Sequence, residues 1–262
     1  MAKRWIGWAL AWVAVAACAA ALPALLAAPD DGPALETTAA AFTIVVDAGH
    51  GGSDGGAVGS DTGVAEAGLN LSVARLLEAE LTARGANVIM TRTGEDALAG
   101  SKSADMDARR EILRASVVDL VVSIHMNAFS DRSVSGPMVY YMAGSGEGEQ
   151  LAQCVMNALT DALGRNRRAA NPGDYFVIRE CSAPAVIVEC GFLSNSDDER
   201  RLQDAAYQQT LACAVADGVF AYAEGTQEPR RVRAATANRF FVCAPSFLFR
   251  KKKKRSKRKS LL

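Results

Sequence analysis

The chain has 262 residues, half of them hydrophobic and 22% charged, with 29 basic and 29 acidic side chains and a formal net charge of zero. The length suits one ordinary domain with extensions. The zero hides an asymmetry: residues 230–262 carry 13 Lys/Arg and no acid, so the body is acidic and the end strongly basic, which argues against a folded part that coats nucleic acid.

Lys3 and Arg4 precede an apolar stretch from Trp5 to Ala28 that only Pro23 interrupts. A helix of that length spans about 36 Å, enough to cross a bilayer. The two positive charges favour a cytoplasmic N-terminus, so the remainder is expected to be exported and to face the cell wall. An uncleaved signal anchor fits the length best, and a cleaved signal peptide stays open, giving a secreted product. Val15-Ala16-Ala17-Cys18 also resembles a lipoprotein box, but the apolar run continues well past Cys18. Residues 29–41 are small, polar and Pro/Gly-containing and read as a linker.

The domain is expected over residues 42–225. Thr43-Ile44-Val45-Val46 reads as a buried strand that runs into Asp47, turns at Gly49 and presents His50. After a glycine-rich loop, Leu69, Val73, Leu76, Leu77 and Leu81 fall on one face of a helix over 64–84, which Gly85 stops. A short strand over 87–91 and a polar loop over 92–102 follow. A second helix over 104–116 is expected to turn Met106, Ile112 and Leu113 inward. The strand 118–124 delivers His125, the second of only two histidines.

Further strands are expected over 137–142 and 183–189, with a short one at 175–178, and helices over 147–163, 195–202 and 207–222. Strands that alternate with helices predict an α/β fold: one open, largely parallel twisted sheet flanked by helices in a single domain. Residues 226–262 are expected to form a disordered basic tail. The six cysteines contain no C-x-x-C pair, so they read neither as a disulfide framework nor as a cysteine zinc cluster but as buried free thiols.

Four groups stand at strand ends or helix starts: His50, Glu66, His125 and Glu189. Taken singly, each has a plain explanation. A carboxylate in a first helical turn suits the helix dipole, which accounts for Glu66. A histidine at a strand end is often a hydrogen-bonded core residue. Glu189 is harder to dismiss, because a glutamate after Val186, Ile187 and Val188 is costly to bury unless it is paired or used.

Together, two histidines and a carboxylate are the ligand set of a catalytic zinc. Such a site keeps one position for water and lowers its pKa, while a further carboxylate takes the proton and passes it to a leaving amine. His50, Glu66 and His125 as ligands with Glu189 as base fill that scheme. The chain lacks H-E-x-x-H, so the ligands must converge from separate loops. Asp47 is a candidate partner for the other ring nitrogen of a ligating histidine, with turn-capping as its alternative. Asn127 is a candidate substrate-facing group, with loop-capping as its alternative. Arg92 and Arg179 read as solvated surface charges, with contact to a peptide-stem carboxylate as their alternative.

Segments 45–59 (VVDAGHGGSDGGAVG), 63–71 (GVAEAGLNL), 122–128 (VSIHMNA), 135–141 (SGPMVYY) and 184–195 (PAVIVECGFLSN) resemble, in order and spacing, the zinc-dependent N-acetylmuramoyl-L-alanine amidases of the amidase 3 family. The likeness covers residues 42–224. It implies a hydrolase that uses Zn2+ to cut the amide between the lactyl group of N-acetylmuramic acid and the L-alanine of the peptide stem. It also implies His50, Glu66 and His125 as zinc ligands and Glu189 as the catalytic glutamate. The D-A-G-H-G-G-x-D-G-G-A-V-G wording and the N-terminal segment look most like the sporulation branch, whose members form muramic-δ-lactam in spore cortex and serve germination. The resemblance thus implies peptidoglycan as partner, an activating partner protein as a further candidate, and the forespore intermembrane space as one location. Ala67 and Gly68 depart from relatives that carry charge after the glutamate, and the tail has no counterpart.

Four rivals stand against this reading. A cysteine hydrolase would use Cys190 or Cys181 with His125, but Cys190 ends an apolar strand beside an acid, which opposes a thiolate. A general vegetative wall amidase, or a domain that binds glycan without cutting it, would share the fold. The run Arg250–Lys259 would bind phosphate polymers without sequence preference, although an exported tail would meet wall polymer or lipid headgroups instead.

Overall fold

The computed structural model describes residues 42–166 and 168–241 of the chain. The expected membrane anchor, Cys18, the linker and the run Arg250–Lys259 lie outside them. Among the described residues no helix is long and apolar enough to cross a membrane.

Six strands form one sheet. They are β1 (Thr43–Ala48), β2 (Asn87–Met90), β3 (Leu120–Asn127), β4 (Met138–Met142), β5 (Asn171–Gly173) and β6 (Ala185–Phe192), in the order β2-β1-β3-β6-β4-β5. β1 pairs parallel with β2 and β3, and β3 parallel with β6; β4 runs antiparallel to β6 and carries β5 parallel to itself. The largely parallel sheet expected from the alternation of strands and helices is therefore present, with a two-strand reversal at one edge.

The helices are α1 (Glu66–Ala83), α2 (Lys102–Leu113), α3 (Gly146–Ala162), α4 (Phe176–Glu180), α5 (Ser196–Leu202) and α6 (Ala205–Phe241). Side-chain caps start four of them, Asp204 accepting from Tyr207 N ahead of α6. Ser101 accepts from Ala104 N, Ser145 from Gly148 N, and Asn195 from the amides of Asp197 and Asp198.

Strand side chains alternate between faces, and the two faces are covered unequally. On one, Ile44, Val46, Val122, Ile124, Val186 and Val188 meet Val73, Leu77 and Leu81 of α1, Leu151 and Val155 of α3, and Leu211 and Val215 of α6. Full burial of each such side chain stabilises the fold by roughly 1.5–3 kcal/mol. On the other, a smaller cluster gathers Val45, Val121 and Ile187 against Leu113 of α2 and Val177 and Ile178 of α4. The large core fixes α1, and so Glu66 at its first turn, against the strands that end in Asp47 and His125.

Two expectations change. Tyr175–Ile178, expected as a strand, is the start of the one-turn helix α4. Its β-branched residues sit beside the smaller cluster, where a single turn buries Val177 and Ile178 together, and packing overrides local propensity. The last helix is longer than expected: α6 runs to Phe241, so residues 226–241 carry helical backbone. Four arginines and three alanines, both good helix formers, fall in that stretch, although Pro229 lies inside it.

Candidate metal and catalytic site

The site forms where β1, β3 and β6 end. The register places Asp47 beside Ser123 and His125 beside Glu189, with Met138 of β4 on the far side of Glu189. The register shifts there: His125 pairs with Glu189 but Asn127 with Phe192, so β6 carries one extra residue between Glu189 and Phe192. Such a bulge re-aims side chains at a strand end.

Ligand atoms of His50, Glu66 and His125 all lie within 4.8 Å of one another. His50 Nε2 is 3.3 Å from Glu66 Oε2, and His125 Nδ1 is 2.9 Å from Glu66 Oε1. The imidazoles meet edge to face with centroids 5.0 Å apart. Glu66 is 3% exposed and is held by the amides of Ala57 (2.7 Å) and Met126 (3.1 Å) and by Asn70 Nδ2 (3.1 Å). Burial pushes its pKa up, but the hydrogen bonds to His125 and His50 outweigh burial and hold it well below the usual carboxylate range. The bond to Glu66 is the main cause that raises the pKa of His50.

Backbone shape brings these groups together. His50 has φ 62°, the only positive φ of a non-glycine residue among the described residues, and turns its ring back over the helix that bears Glu66. A Cβ at Gly49 would overlap the His125 ring, so only glycine lets that imidazole lie against the turn.

Glu189 stands apart in character. The residue is half-buried, and its Oε2, shielded from solvent, has no hydrogen-bond partner. Burial pushes its pKa up to about 7; the histidines pull the other way and Glu66 adds to the rise. A carboxyl poised at that pH both takes and gives a proton.

Asp47 does not meet a histidine ring. It accepts from Arg109, Ser123 and Thr91 inside the sheet edge, and neither of its expected roles holds. Burial opposes its charge most strongly, but the Arg109 charge together with the Ser123 and Thr91 hydrogen bonds and His125 outweighs it and holds its pKa low. The carboxylate on the other ring nitrogen of His50 is Asp54, whose Oδ1 lies 3.1 Å from Nδ1 while Oδ2 meets Lys102 Nζ at 3.2 Å. Asn127 ends β3, where its Oδ1 accepts from Ala128 N at 2.8 Å, the capping alternative. Its side chain also reaches the Tyr140 hydroxyl, which burial, Tyr175 and Glu189 push to higher pKa. Arg179 is paired with Asp174 at the surface as expected. Arg92 is not a surface charge: it is 4% exposed and donates to the carbonyls of Ala48, Gly49, Ala67 and Gly94.

Sequence reasoning also missed Asp105 and Arg109. They form the inner face of α2 with Leu113, while Met106 and Ile112 stay half-buried. The i, i+4, i+8 spacing of Asp105, Arg109 and Leu113 was the available signal. Cys190 is fully buried and burial pushes its thiol well above the usual range, so no reactive thiolate forms beside Glu189.

A cavity of about 150 Å3 opens beside the cluster and is lined in part by His50, Asp54, Lys102 and His125. A larger groove of about 770 Å3 between Ser133, Arg165, Asp198 and Tyr207 contains neither histidine. Two imidazoles and a carboxylate within reach of one ion, next to an unpartnered buried carboxyl oxygen, fit a zinc ion with three protein ligands.

A family model described as N-acetylmuramoyl-L-alanine amidase matches residues 44–221. The uncharacterized protein YqiI of Bacillus subtilis is 34% identical over 183 residues, 69% of this chain and 84% of that protein. The germination-specific N-acetylmuramoyl-L-alanine amidase of Bacillus subtilis is 31% identical over 188 residues, 68% of this chain and 78% of that protein. Among solved structures, the CwlD amidase from Clostridioides difficile, in complex with the GerS lipoprotein, is 30% identical with a TM-score of 0.67 and covers 70% of this chain and 98% of that one.

Proposed function

The chain belongs to the N-acetylmuramoyl-L-alanine amidase family and is a peptidoglycan amidase, and from that premise we propose that it is a zinc-dependent hydrolase with His50, Glu66 and His125 as metal ligands and Glu189 as the proton-transfer residue. The observation that carries the reading is the convergence of the three ligand side chains within 4.8 Å beside a carboxyl that shares a strand pairing with His125. Zinc in a three-ligand site supplies Lewis acidity, which polarises a carbonyl and acidifies water.

The rest of the chemistry falls to the chain. Water attacks the lactyl carbonyl carbon, and Glu189 takes its proton. The C–N bond to L-alanine then breaks, and Glu189 returns that proton to the leaving amine nitrogen. Enclosure keeps the Glu189 carboxyl near pH 7, the range in which it works in both directions. Asp54 holds the second nitrogen of His50, which leaves Nε2 free to bind the metal.

The substrate context is spore cortex, where the reaction clears the stem before muramic-δ-lactam forms, and the role is cortex maturation and germination. The germination-specific relative supports this choice over a general vegetative amidase. An activating partner protein fits the same picture, since the CwlD amidase was solved with the GerS lipoprotein. The enzyme works outside the cytoplasmic membrane, held there by the apolar N-terminal segment or released from it.

The test is digestion of purified cortex and vegetative peptidoglycan by the full chain, with and without zinc, and identification of the new ends by mass. A free lactyl carboxyl and a free L-alanine amine are expected, and zinc removal abolishes both. A cut between peptide residues, or activity indifferent to chelator, would overturn the reading. Equal cutting of vegetative wall would overturn the cortex assignment alone.

A further inference from the structure

Two buried guanidinium groups face the main chain of the turn that presents His50. Arg109, 2% exposed, donates from Nη1 to the carbonyl of Ala48 at 3.0 Å and from Nη2 to that of His50 at 2.6 Å. Arg92 donates to the carbonyls of Ala48 (3.0 Å) and Gly49 (2.9 Å), and also to that of Ala67 (2.7 Å), which neighbours Glu66 in α1. Three consecutive carbonyls, of residues 48, 49 and 50, are thus turned onto cationic donors.

This matters because His50 occupies a left-handed conformation, φ 62°, that a non-glycine residue rarely adopts unless its surroundings impose it. Its ring nitrogens meet Asp54 and Glu66, at 3.1 and 3.3 Å, and its ring packs edge to face on His125. The shorter hydrogen bond at its carbonyl comes from Arg109. That guanidinium is itself fixed from behind by Asp105 on Nε at 2.9 Å and by Asp47. Planar geometry lets one arginine reach residues 48 and 50 together; a lysine ammonium, a point charge on a flexible stem, does not reproduce that fork.

We propose that Arg109 is a positioning residue for the metal centre: through the carbonyls of Ala48 and His50 it locks the left-handed turn that aims the His50 imidazole at Glu66 and His125. The inference rests on the reading of those three residues as zinc ligands.

The experiment compares the zinc affinity of the full parent chain with that of Arg109→Lys by chelator competition, alongside circular dichroism and thermal unfolding of the metal-free forms. Arg109→Lys keeps a cation between Asp47 and Asp105, so the fold is expected to persist. Zinc affinity is expected to fall by roughly 10–100-fold, as with other groups that orient metal ligands. Cleavage by the variant is expected to recover largely at saturating zinc. A folded Arg109→Lys chain with the parent's zinc affinity would overturn the proposal, because a purely structural arginine moves only the unfolding midpoint. Should Arg109→Lys fail to fold, Asp105→Asn, which removes the charge that holds the guanidinium Nε and leaves an amide oxygen for Leu98 N, makes the same comparison: unchanged affinity there also overturns it. A parent chain that binds no zinc overturns the metal reading itself and this inference with it.

Discussion

The His125 imidazole fills the space that any side chain at residue 49 would need. The two positions lie on adjacent strand ends, and the amide of Gly49 donates to the carbonyl of Ile124 at 3.1 Å, so the backbone there cannot back away without breaking the β1–β3 ladder. Gly49→Ala therefore forces the ring to move. Overpacking of this kind costs about 1–3 kcal/mol. Because His125 is partly exposed, the ring has room to swing outward, and the chain is expected to fold while its zinc affinity drops by roughly 10–100-fold. Chelator competition together with near-ultraviolet circular dichroism reads both effects. Unchanged zinc binding would mean that His125 is not a ligand in this orientation.

Glu189→Gln separates catalysis from metal binding and from stability. Cleavage is expected to fall by about a hundred- to ten-thousand-fold, the usual loss when a general acid–base is removed, with zinc still bound. The same substitution gives a pH-dependent stability change in the metal-free chain. The folded-state pKa of Glu189 is raised from 4.5 to about 7. A raised acid lowers stability as pH climbs through that window, because the unfolded state ionises first, and the loss is complete above about 7. The shift corresponds to about 3 kcal/mol. Glu189→Gln should therefore match the parent at pH 4 and exceed it by roughly that amount at pH 8, read by urea unfolding at the two pH values. A constant difference across the range would show that Glu189 titrates as an ordinary exposed carboxylate.

The two aspartates near His50 are predicted to fail in different ways. Asp54 touches the ring, so Asp54→Asn should weaken zinc binding by roughly tenfold or more and leave the unfolding midpoint nearly unchanged. Asp47 instead neutralises Arg109, both side chains being almost fully buried. Asp47→Asn leaves a buried guanidinium with only Asp105 opposite and should destabilise the fold by about 3–5 kcal/mol. Denaturant unfolding and chelator competition on both variants give the contrast. Equal loss of stability in the two would contradict it.

How far the site was legible follows from which residues signal by type and which signal only by position. His50, His125 and Glu189 announce themselves because each ends a run of apolar residues, where a polar side chain has no packing role. The burial of β1, β3 and β6 follows from the same runs, whereas the order of the strands in the sheet does not. Arg92, Asp105 and Arg109 gave no such sign. An arginine in a polar loop and an Asp/Arg pair on a helix have the composition of a solvated surface, and only the folded arrangement of carbonyls from residues 48–50 shows what they face. Asp47, a candidate partner for a ligating histidine, instead follows the pleat toward Ser123, while the loop beyond returns Asp54 to the His50 ring. Helix α4 went unread because one turn is too short to show a period.

Cys190 adjoins Glu189 in sequence yet takes no part in the chemistry. Its side chain is fully buried among the residues of the larger core, on the opposite face of β6 from Glu189. Burial and the neighbouring carboxylates hold its thiol protonated. Alkylating reagents should therefore leave native activity intact while chelators abolish it, and the thiol should react only after unfolding. Cys190→Ala removes one sulfur from a packed core, so a stability loss of roughly 1 kcal/mol is expected with cleavage per folded molecule unchanged. Inactivation by a thiol reagent that tracks modification of Cys190 in the folded chain would return the cysteine-hydrolase reading, whereas protection of this thiol at a rate set by global unfolding identifies it as a packing residue.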